Sequence, residues 1–385
     1  MCGPMKIIVL GSGMMGSAIA YDLSKYSNFK EIVIADKNKK TLDSAKKFLK
    51  DKEIKYIHLN VEDSSELKKQ FRNFDMSISA IPYRYNYKLA KIAVDTKTHF
   101  LDLGGNNDVV KKERDLFDKA KKSGITIIPD CGLAPGLTSV ITHDVVEQID
   151  EVEYVKIRVG GLPISPKSPL NYQIVFSPYG LINEYVEDSV ILNNGKILKK
   201  KSMTELEMVR FPEPFGEMEV FLTSGGTSTM PYTFKNKIKY LDYKTVRYPG
   251  HCERFKHLLD LGLANKEKIS VGNKKIIPRE FFVSFLLKIL PINEKDVVLL
   301  KVLSRGKKDG KDIILDYTMI DYYDEKNNIT AMMRTTSYPT SIIAQLIERG
   351  KINEFGVFGC EEIVPCSPFF KELQKRGIKI QKEIR

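Results

Sequence analysis

Residues 6–16 read Lys-Ile-Ile-Val-Leu-Gly-Ser-Gly-Met-Met-Gly, an apolar run stopped by glycines that open a helical stretch. Few short patterns restrict a fold as strongly. The run suits a strand buried on both faces. Gly11 permits a tight turn, Gly13 a close approach to phosphates, and Gly16 tight helix–strand packing. The helix start at Met14 and Met15 then presents unpaired N–H groups and a partial positive charge to those phosphates. Twenty residues past Gly16 stands Asp36, closing a second apolar run at 31–35. A carboxylate there accepts hydrogen bonds from both adenosine-ribose hydroxyls and repels a 2′-phosphate. The pattern therefore predicts NAD over NADP, although Lys37, Lys39 and Lys40 act in the opposite sense.

Strands are expected at 6–10, 31–35, 55–59, 76–80, 99–103 and 125–128, with helices at 14–26, 41–50, 63–71, 87–96 and 108–124. Asp63, three residues before Glu66, reads as a helix cap. Strand and helix alternating through short connections imply a parallel sheet covered on both faces, the doubly wound α/β (Rossmann) fold. Asn60, Ala80, Ile81, Pro82 and Gly104 stand at strand ends that would line the cofactor crevice, where ordinary turns are the competing reading. The small residues around Cys131, Gly132 and Leu133 would bring backbone N–H groups to the nicotinamide end.

Beyond Asp130 the pattern changes. Long strands at 152–159 and 313–323 alternate with helices at 178–185 and 254–263, which predicts a mixed α+β domain over 136–339 after a dinucleotide domain over 5–135. Helices are also expected at 340–350 and 368–377. A chain of 385 residues suits two domains.

The net charge of +12 comes from scattered lysines, which suits solvated surfaces better than a nucleic-acid face. No apolar run nears the roughly 20 residues of a membrane span; the longest, 281–290, contains Lys288. No secretory signal pattern is present, so the expected location is cytoplasmic, with residues 1–4 a short disordered leader. Five cysteines without a CxxC pair predict reduced thiols, with no zinc site and no disulfide scaffold. Hydride transfer needs no metal, and none is expected.

Several segments carry a resemblance: LGSGMMG, IADKN, LDLGGN, IIPDCGLAPG, VGGLPISPKSPLNY, VFSPYGLINEY, TSGGTST and YKTVRYPGH. In this order they resemble the saccharopine dehydrogenase-like family, and within it the enzymes that oxidise the lysine ε-amine. The resemblance runs from Met5 to about Leu263 and returns in FFKELQKRGI; 265–325 lies outside it. It implies a homodimer whose second domain handles substrate and dimerisation, with the segment 340–385 packed back on the dinucleotide domain. It also implies oxidative deamination of L-lysine with NAD. The products would be 2-aminoadipate 6-semialdehyde, which cyclises to an imine, with ammonia and NADH.

Hydride leaves an amine-bearing carbon only when the nitrogen lone pair is free, so an ammonium group with a pKa near 10.4 must first lose a proton. His251 and Asp102 are the candidates for proton transfer or for holding the ammonium. Arg247 would clamp a carboxylate, Thr227 and Ser228 offer hydroxyls beside glycines, and Tyr83, Arg84 and Asn86 would line the pocket floor. The competing readings are a structural hydrogen bond for His251 and Asp102, a structural ion pair for Arg247 and a plain turn for Thr227 and Ser228. Two other functions remain open. One is a saccharopine- or carboxynorspermidine-type dehydrogenase acting on a secondary amine, and the other is a non-catalytic dinucleotide sensor.

Overall fold

The computed structural model describes residues 4–50, 52–292 and 294–385. Most of the expected leader, Met1 to Gly3 with Cys2, lies outside the described residues. The chain divides into two compact units. The first comprises Met1–Glu147, Ser228–Thr233 and Met333–Ile378; the second comprises Gln148–Thr227, Phe234–Met332 and Lys379–Arg385. The first boundary therefore falls at Glu147 instead of 135. The helix Thr138–Gln148 continues directly from the 130–137 loop, and nearly all of it stays with the first unit.

In the first unit, β1 (Lys6–Leu10), β2 (Glu31–Asp36), β3 (Lys55–His58), β4 (Met76–Ser79), β5 (His99–Asp102) and β6 (Thr126–Ile128) form a parallel sheet. The spatial order is Gly356–Val357, β6, β5, β4, β1, β2, β3, with every pairing parallel. That is the doubly wound order, with its topological switch between β1 and β4. Ile8, Val33, Phe100 and Ile127 from the sheet meet Leu67, Phe71, Leu89 and Ala93 from the helices in one buried cluster. Burying each of the larger side chains contributes roughly 2–3 kcal/mol.

The connecting helices are α1 (Met14–Tyr26), α2 (Lys39–Phe48), α3 (Ser64–Phe71), α4 (Asn86–Thr96), α5 (Asn107–Arg114) and α6 (Phe117–Ser123). Asp63 caps α3, accepting from the N–H groups of Ser65 and Glu66. The single helix expected at 108–124 is two, broken at Asp115 and Leu116. Asn106 caps the first, and Gly124 ends the second in the left-handed conformation.

The second unit is built on a mixed sheet, nine-stranded among the described residues. At its centre Glu151–Pro163 pairs in parallel with Ile238–Arg247 and antiparallel with Asp296–Lys308. Leu162, Met218, Val220, Val246 and Leu299 form its buried cluster. Gly160 sits where a Cβ would lie 2.3 Å from the Val246 carbonyl oxygen, so only glycine lets these two strands pair. Among the described residues no helix is long and apolar enough to cross a membrane.

Candidate active site

In the glycine turn after β1, two glycines answer to packing and one to open space. A Cβ on Gly11, whose φ is +99°, would lie 2.6 Å from the Ala80 carbonyl oxygen; one on Gly16 would lie 1.9 Å from the Gly11 carbonyl oxygen. A Cβ on Gly13 would meet nothing within 4 Å. Nothing inside the protein requires glycine there, whereas a phosphate resting on the turn would. Asp36 ties the turn together. Its Oδ2 accepts from Ser12 N–H (2.8 Å) and Ser12 Oγ (3.0 Å), and its Oδ1 accepts from Asn38 N–H (2.8 Å). Each oxygen keeps lone-pair capacity for a ribose hydroxyl. Met14 and Met15 open α1, with the Met15 carbonyl accepting from Ser337 Oγ at 3.0 Å. These residues fit a dinucleotide.

The other expected cofactor residues divide. Ala80, Ile81 and Pro82 leave β4 beside Gly11, with Ala80 N–H donating to Leu10 O. Asn60 uses its side-chain oxygen on the N–H of Glu62, 3.1 Å away, to shape its own turn. Leu133 is buried, and a Cβ on Gly132 would lie 3.4 Å from Thr336 Cγ2. Gly104 answers to a neighbour: a Cβ there would sit 1.6 Å from Asp130 Oδ1. Cys131 is fully buried, its thiol donating to Ile128 O (3.1 Å) and lying 3.9 Å from the Cys360 thiol. Its side chain is an interior one. The four described cysteines are unpaired and buried.

At the C-terminal ends of β5 and β6 the first unit gathers carboxyl groups. Asp102 closes β5, and Asp130 follows β6 in the left-handed conformation (φ 61°), a sparsely populated state for such a residue. Asp102 Oδ1 accepts from the N–H of Gly104 (2.6 Å) and of Asp130 (3.3 Å), and its side chain also hydrogen-bonds Glu113 and Asn86. Glu113, from α5, is 0 % exposed and its carboxyl hydrogen-bonds the side chain of Asp102. Ser228 Oγ donates to Asp130 Oδ2. Glu361 accepts from Thr229 Oγ1 (2.6 Å) and Thr233 Oγ1 (2.9 Å).

Burial pushes all four acids up, and no cation counts among the main influences on any of them. Asp130 is pushed to about 8 by burial and by the charge of Asp102. Burial, then the charges of Asp102 and Asp130, hold Glu113 well above the carboxylate range, so at neutral pH it is protonated, as Asp130 mostly is.

Asn86, expected at the pocket floor, is buried and accepts from Ser79 Oγ at 2.7 Å; it supports Asp102 from below. Tyr83 packs against Gly105, and Arg84 is exposed over the Tyr85 ring. Elsewhere in this unit Asp144, Glu147 and Cys366 bring ligand-type atoms within 4.8 Å of one another, with nothing further to mark a metal site.

In the second unit Arg247 ends the strand Ile238–Arg247 and is 2 % exposed. Its Nε donates to Tyr185 OH (2.9 Å), its Nη1 to Val246 O (2.8 Å), and its guanidinium lies 4.8 Å from the Tyr172 ring centre. Among the described residues no carboxylate forms an ion pair with it. Glu184 comes nearest to that role. It is pushed up to about 7 by burial, against the pull of Arg247.

His251 is not a proton acceptor. Its Nδ1 lies 2.8 Å from Leu170 O and its Nε2 3.1 Å from Tyr185 OH, so both ring nitrogens are taken. Burial and the charge of Arg247 hold it down to about 3, keeping it neutral. It positions Tyr185, which in turn positions Arg247. Thr227 is also spent internally, donating to Val190 O at 2.8 Å.

Residues 7–128 match the saccharopine dehydrogenase NADP-binding domain, and residues 132–378 the saccharopine dehydrogenase C-terminal domain. The chain belongs to the saccharopine dehydrogenase family. Its C-terminal match includes 265–325, the stretch left outside the resemblance read from sequence. The chain is 25 % identical over 280 residues to the mitochondrial alpha-aminoadipic semialdehyde synthase of Rattus norvegicus, covering 68 % of this chain but only 29 % of that one. It thus spans under a third of that relative's length. It is 22 % identical to saccharopine dehydrogenase [NADP(+), L-glutamate-forming] of Schizosaccharomyces pombe, covering 98 % of this chain and 99 % of that one. The solved apo saccharopine dehydrogenase (L-Glu forming) from Saccharomyces cerevisiae shares the fold, with a TM-score of 0.80 at 20 % identity over 99 % of this chain and 100 % of that one. Its first unit carries the family's dinucleotide-binding domain.

Sequence reasoning missed Glu113, Tyr185 and Tyr172. Glu113 sits in Asn-Asp-Val-Val-Lys-Lys-Glu-Arg, whose charge density reads as solvent-facing. The available signal was Asp102 and Asp130, acids closing two neighbouring strands.

Proposed function

We propose that the protein is an NAD-dependent dehydrogenase that oxidises the amine-bearing carbon of an amino acid, with the L-lysine ε-amine as substrate. The observation that carries this reading is Arg247, a buried guanidinium with no ion pair. Burying a charge costs several kcal/mol unless it is compensated, and a substrate carboxylate is the compensation this site lacks. Tyr185 and Tyr172 hold the guanidinium in place, and His251, being neutral, adds no competing charge. In the first unit, Asp130 with its Ser228 contact is the proton acceptor of this reading, and Asp102 receives the backbone N–H groups that fix the loop. Gly13, the start of α1 and Asp36 hold the cofactor, which supplies a hydride acceptor when bound.

A proton acceptor pushed up to about 8 sets the pH dependence. Activity needs its carboxylate form, so kcat/KM rises with pH through about 8 and levels off above it. Asp130→Asn removes this rise and lowers kcat by about 10²–10⁴-fold. An unchanged pH profile in that variant sends the proton elsewhere.

Two details separate this reading from its nearest rival, a secondary-amine dehydrogenase that uses NADP, as the saccharopine dehydrogenase [NADP(+), L-glutamate-forming] of Schizosaccharomyces pombe does by name. Reduced-cofactor formation measured with lysine, ornithine, saccharopine and carboxynorspermidine identifies the substrate, and no signal with lysine at alkaline pH overturns the first choice. Asp36→Ala is expected to weaken NAD by about tenfold or more while leaving NADP within about threefold, the loss of hydrogen bonds to a charged acceptor. Equal weakening of both removes the case for NAD.

A further inference from the structure

Glu184 is an acid that the scheme above leaves unused. It lies on the helix Pro178–Val186, whose Leu181, Ile182 and Tyr185 pack into the second unit, and it remains partly accessible itself. Its carboxyl is close enough to Arg247, Tyr172, Tyr185 and Tyr243 for its charge to act on all four. Among the described residues, however, none donates a hydrogen bond to that carboxyl and none forms an ion pair with it.

The surroundings are held in place. Arg247 and Tyr243 stand four residues apart on the strand Ile238–Arg247, on the same face of the sheet. The loop 223–227 lies against the Tyr243 ring, since a Cβ on Gly226 would come within 2.3 Å of it. The same loop is tied to the helix, with Ser224 N–H donating to the Glu184 carbonyl at 2.9 Å. Tyr185 and Val246 O pin Nε and Nη1 of Arg247, and among the described residues its Nη2 has no hydrogen-bond partner. The guanidinium is therefore held near Glu184 without being paired to it.

Two opposite charges near one another, each short of a partner, select a ligand by its own charges. A dicarboxylate head would set an anion against Glu184, and a diamine would leave Arg247 uncompensated. Each would also add net charge where burial makes charge costly. A zwitterion, with its ammonium and carboxylate joined through one carbon, satisfies both groups and adds none. We propose that Glu184 and Arg247 form a receptor for the zwitterionic head of an α-amino acid, Arg247 taking the carboxylate and Glu184 the α-ammonium. The proposal rests on the reading that Arg247 takes a substrate carboxylate, and not on which amine is oxidised.

Calorimetric titration of the full chain saturated with NADH tests it, with two ligands that have no ε-amine. L-norleucine presents both charges on an apolar chain, and hexanoate presents the carboxylate alone. The unmodified protein is expected to bind L-norleucine about 10–100-fold more tightly than hexanoate, the strength of one hydrogen bond between charged groups. Glu184→Gln keeps the shape of the side chain and brings that ratio to within about threefold, whereas Arg247→Met weakens both ligands. L-norleucine binding no tighter than hexanoate in the unmodified protein overturns the proposal without need of any variant. So does a Glu184→Gln protein that binds both ligands more weakly but keeps the ratio, which is the behaviour of a structural acid. Hexanoate binding indifferent to Arg247→Met overturns the carboxylate reading and the proposal with it. A norleucine preference that depends on Glu184, in a protein that does not oxidise lysine, upholds the receptor and overturns only the choice of lysine.

Discussion

Glu113→Gln is expected to raise the unfolding midpoint at pH 8 and to leave it nearly unchanged near pH 4. In the unfolded chain this carboxyl titrates near its ordinary 4.5, whereas burial beside Asp102 and Asp130 keeps it protonated in the native state to much higher pH. Between those limits the native state binds the extra proton, so stability falls as pH rises. Each pH unit above 4.5 costs about 1.4 kcal/mol, which accumulates to roughly 3 kcal/mol by neutral pH. Glutamine keeps the shape and the neutrality without that cost. Urea midpoints of both proteins at pH 4, 6 and 8 provide the measurement. A variant less stable at pH 8, or a difference independent of pH, means that Glu113 is ionised or paired in solution.

The second large effect falls on Arg247. Arg247→Met is expected to reduce kcat/KM for a carboxylate-bearing substrate by about 10²–10³-fold, most of it in KM, the cost of losing one partner of a buried charge pair. The same change is expected to raise thermal stability or leave it intact. Replacing an uncompensated buried charge by an apolar side chain of similar volume is commonly neutral or stabilising. Lost activity with preserved stability separates a ligand-binding arginine from a structural one, for which both would fall together. Arg247→Lys recovers only part of the activity, because a single ammonium lacks the two-pronged donor set.

The dinucleotide half was legible because its signals are local. Each strand is an apolar run, each connection is short, and the glycines of the turn carry steric demands that no other residue meets. Where the reading slipped, the deciding interaction lay far along the chain. The helix expected at 340–350 spans Ala331–Glu348 and carries Pro339 within it. Proline removes a backbone donor and so reads as a boundary, yet Thr340 bonds the carbonyl of Cys131 at 2.8 Å and helps hold the helix on the first unit.

His251 shows the same limit in chemistry. Its place beside Arg247 was visible, but its neutrality follows from Tyr185 and Leu170, 66 and 81 positions away. Gly104 is the instructive case among the cofactor residues. Its place at a strand end suggests a residue lining the crevice, whereas the space beside its Cα is filled by Asp130.

The strand Gly356–Val357 completes the parallel sheet by pairing with β6, which ends at Ile128. During synthesis at about 5–20 residues per second, β6 therefore waits on the order of ten to forty seconds for its outer neighbour. Through that interval the nascent sheet presents an open edge whose three residues are all buried in the finished protein, the kind of edge that recruits other chains. The site acids Asp102 and Asp130 stand at the ends of that edge strand and its neighbour. A cell making this chain thus holds that end of the sheet unfinished until residues 356–357 leave the ribosome, and chaperone demand should track translation speed across residues 129–356.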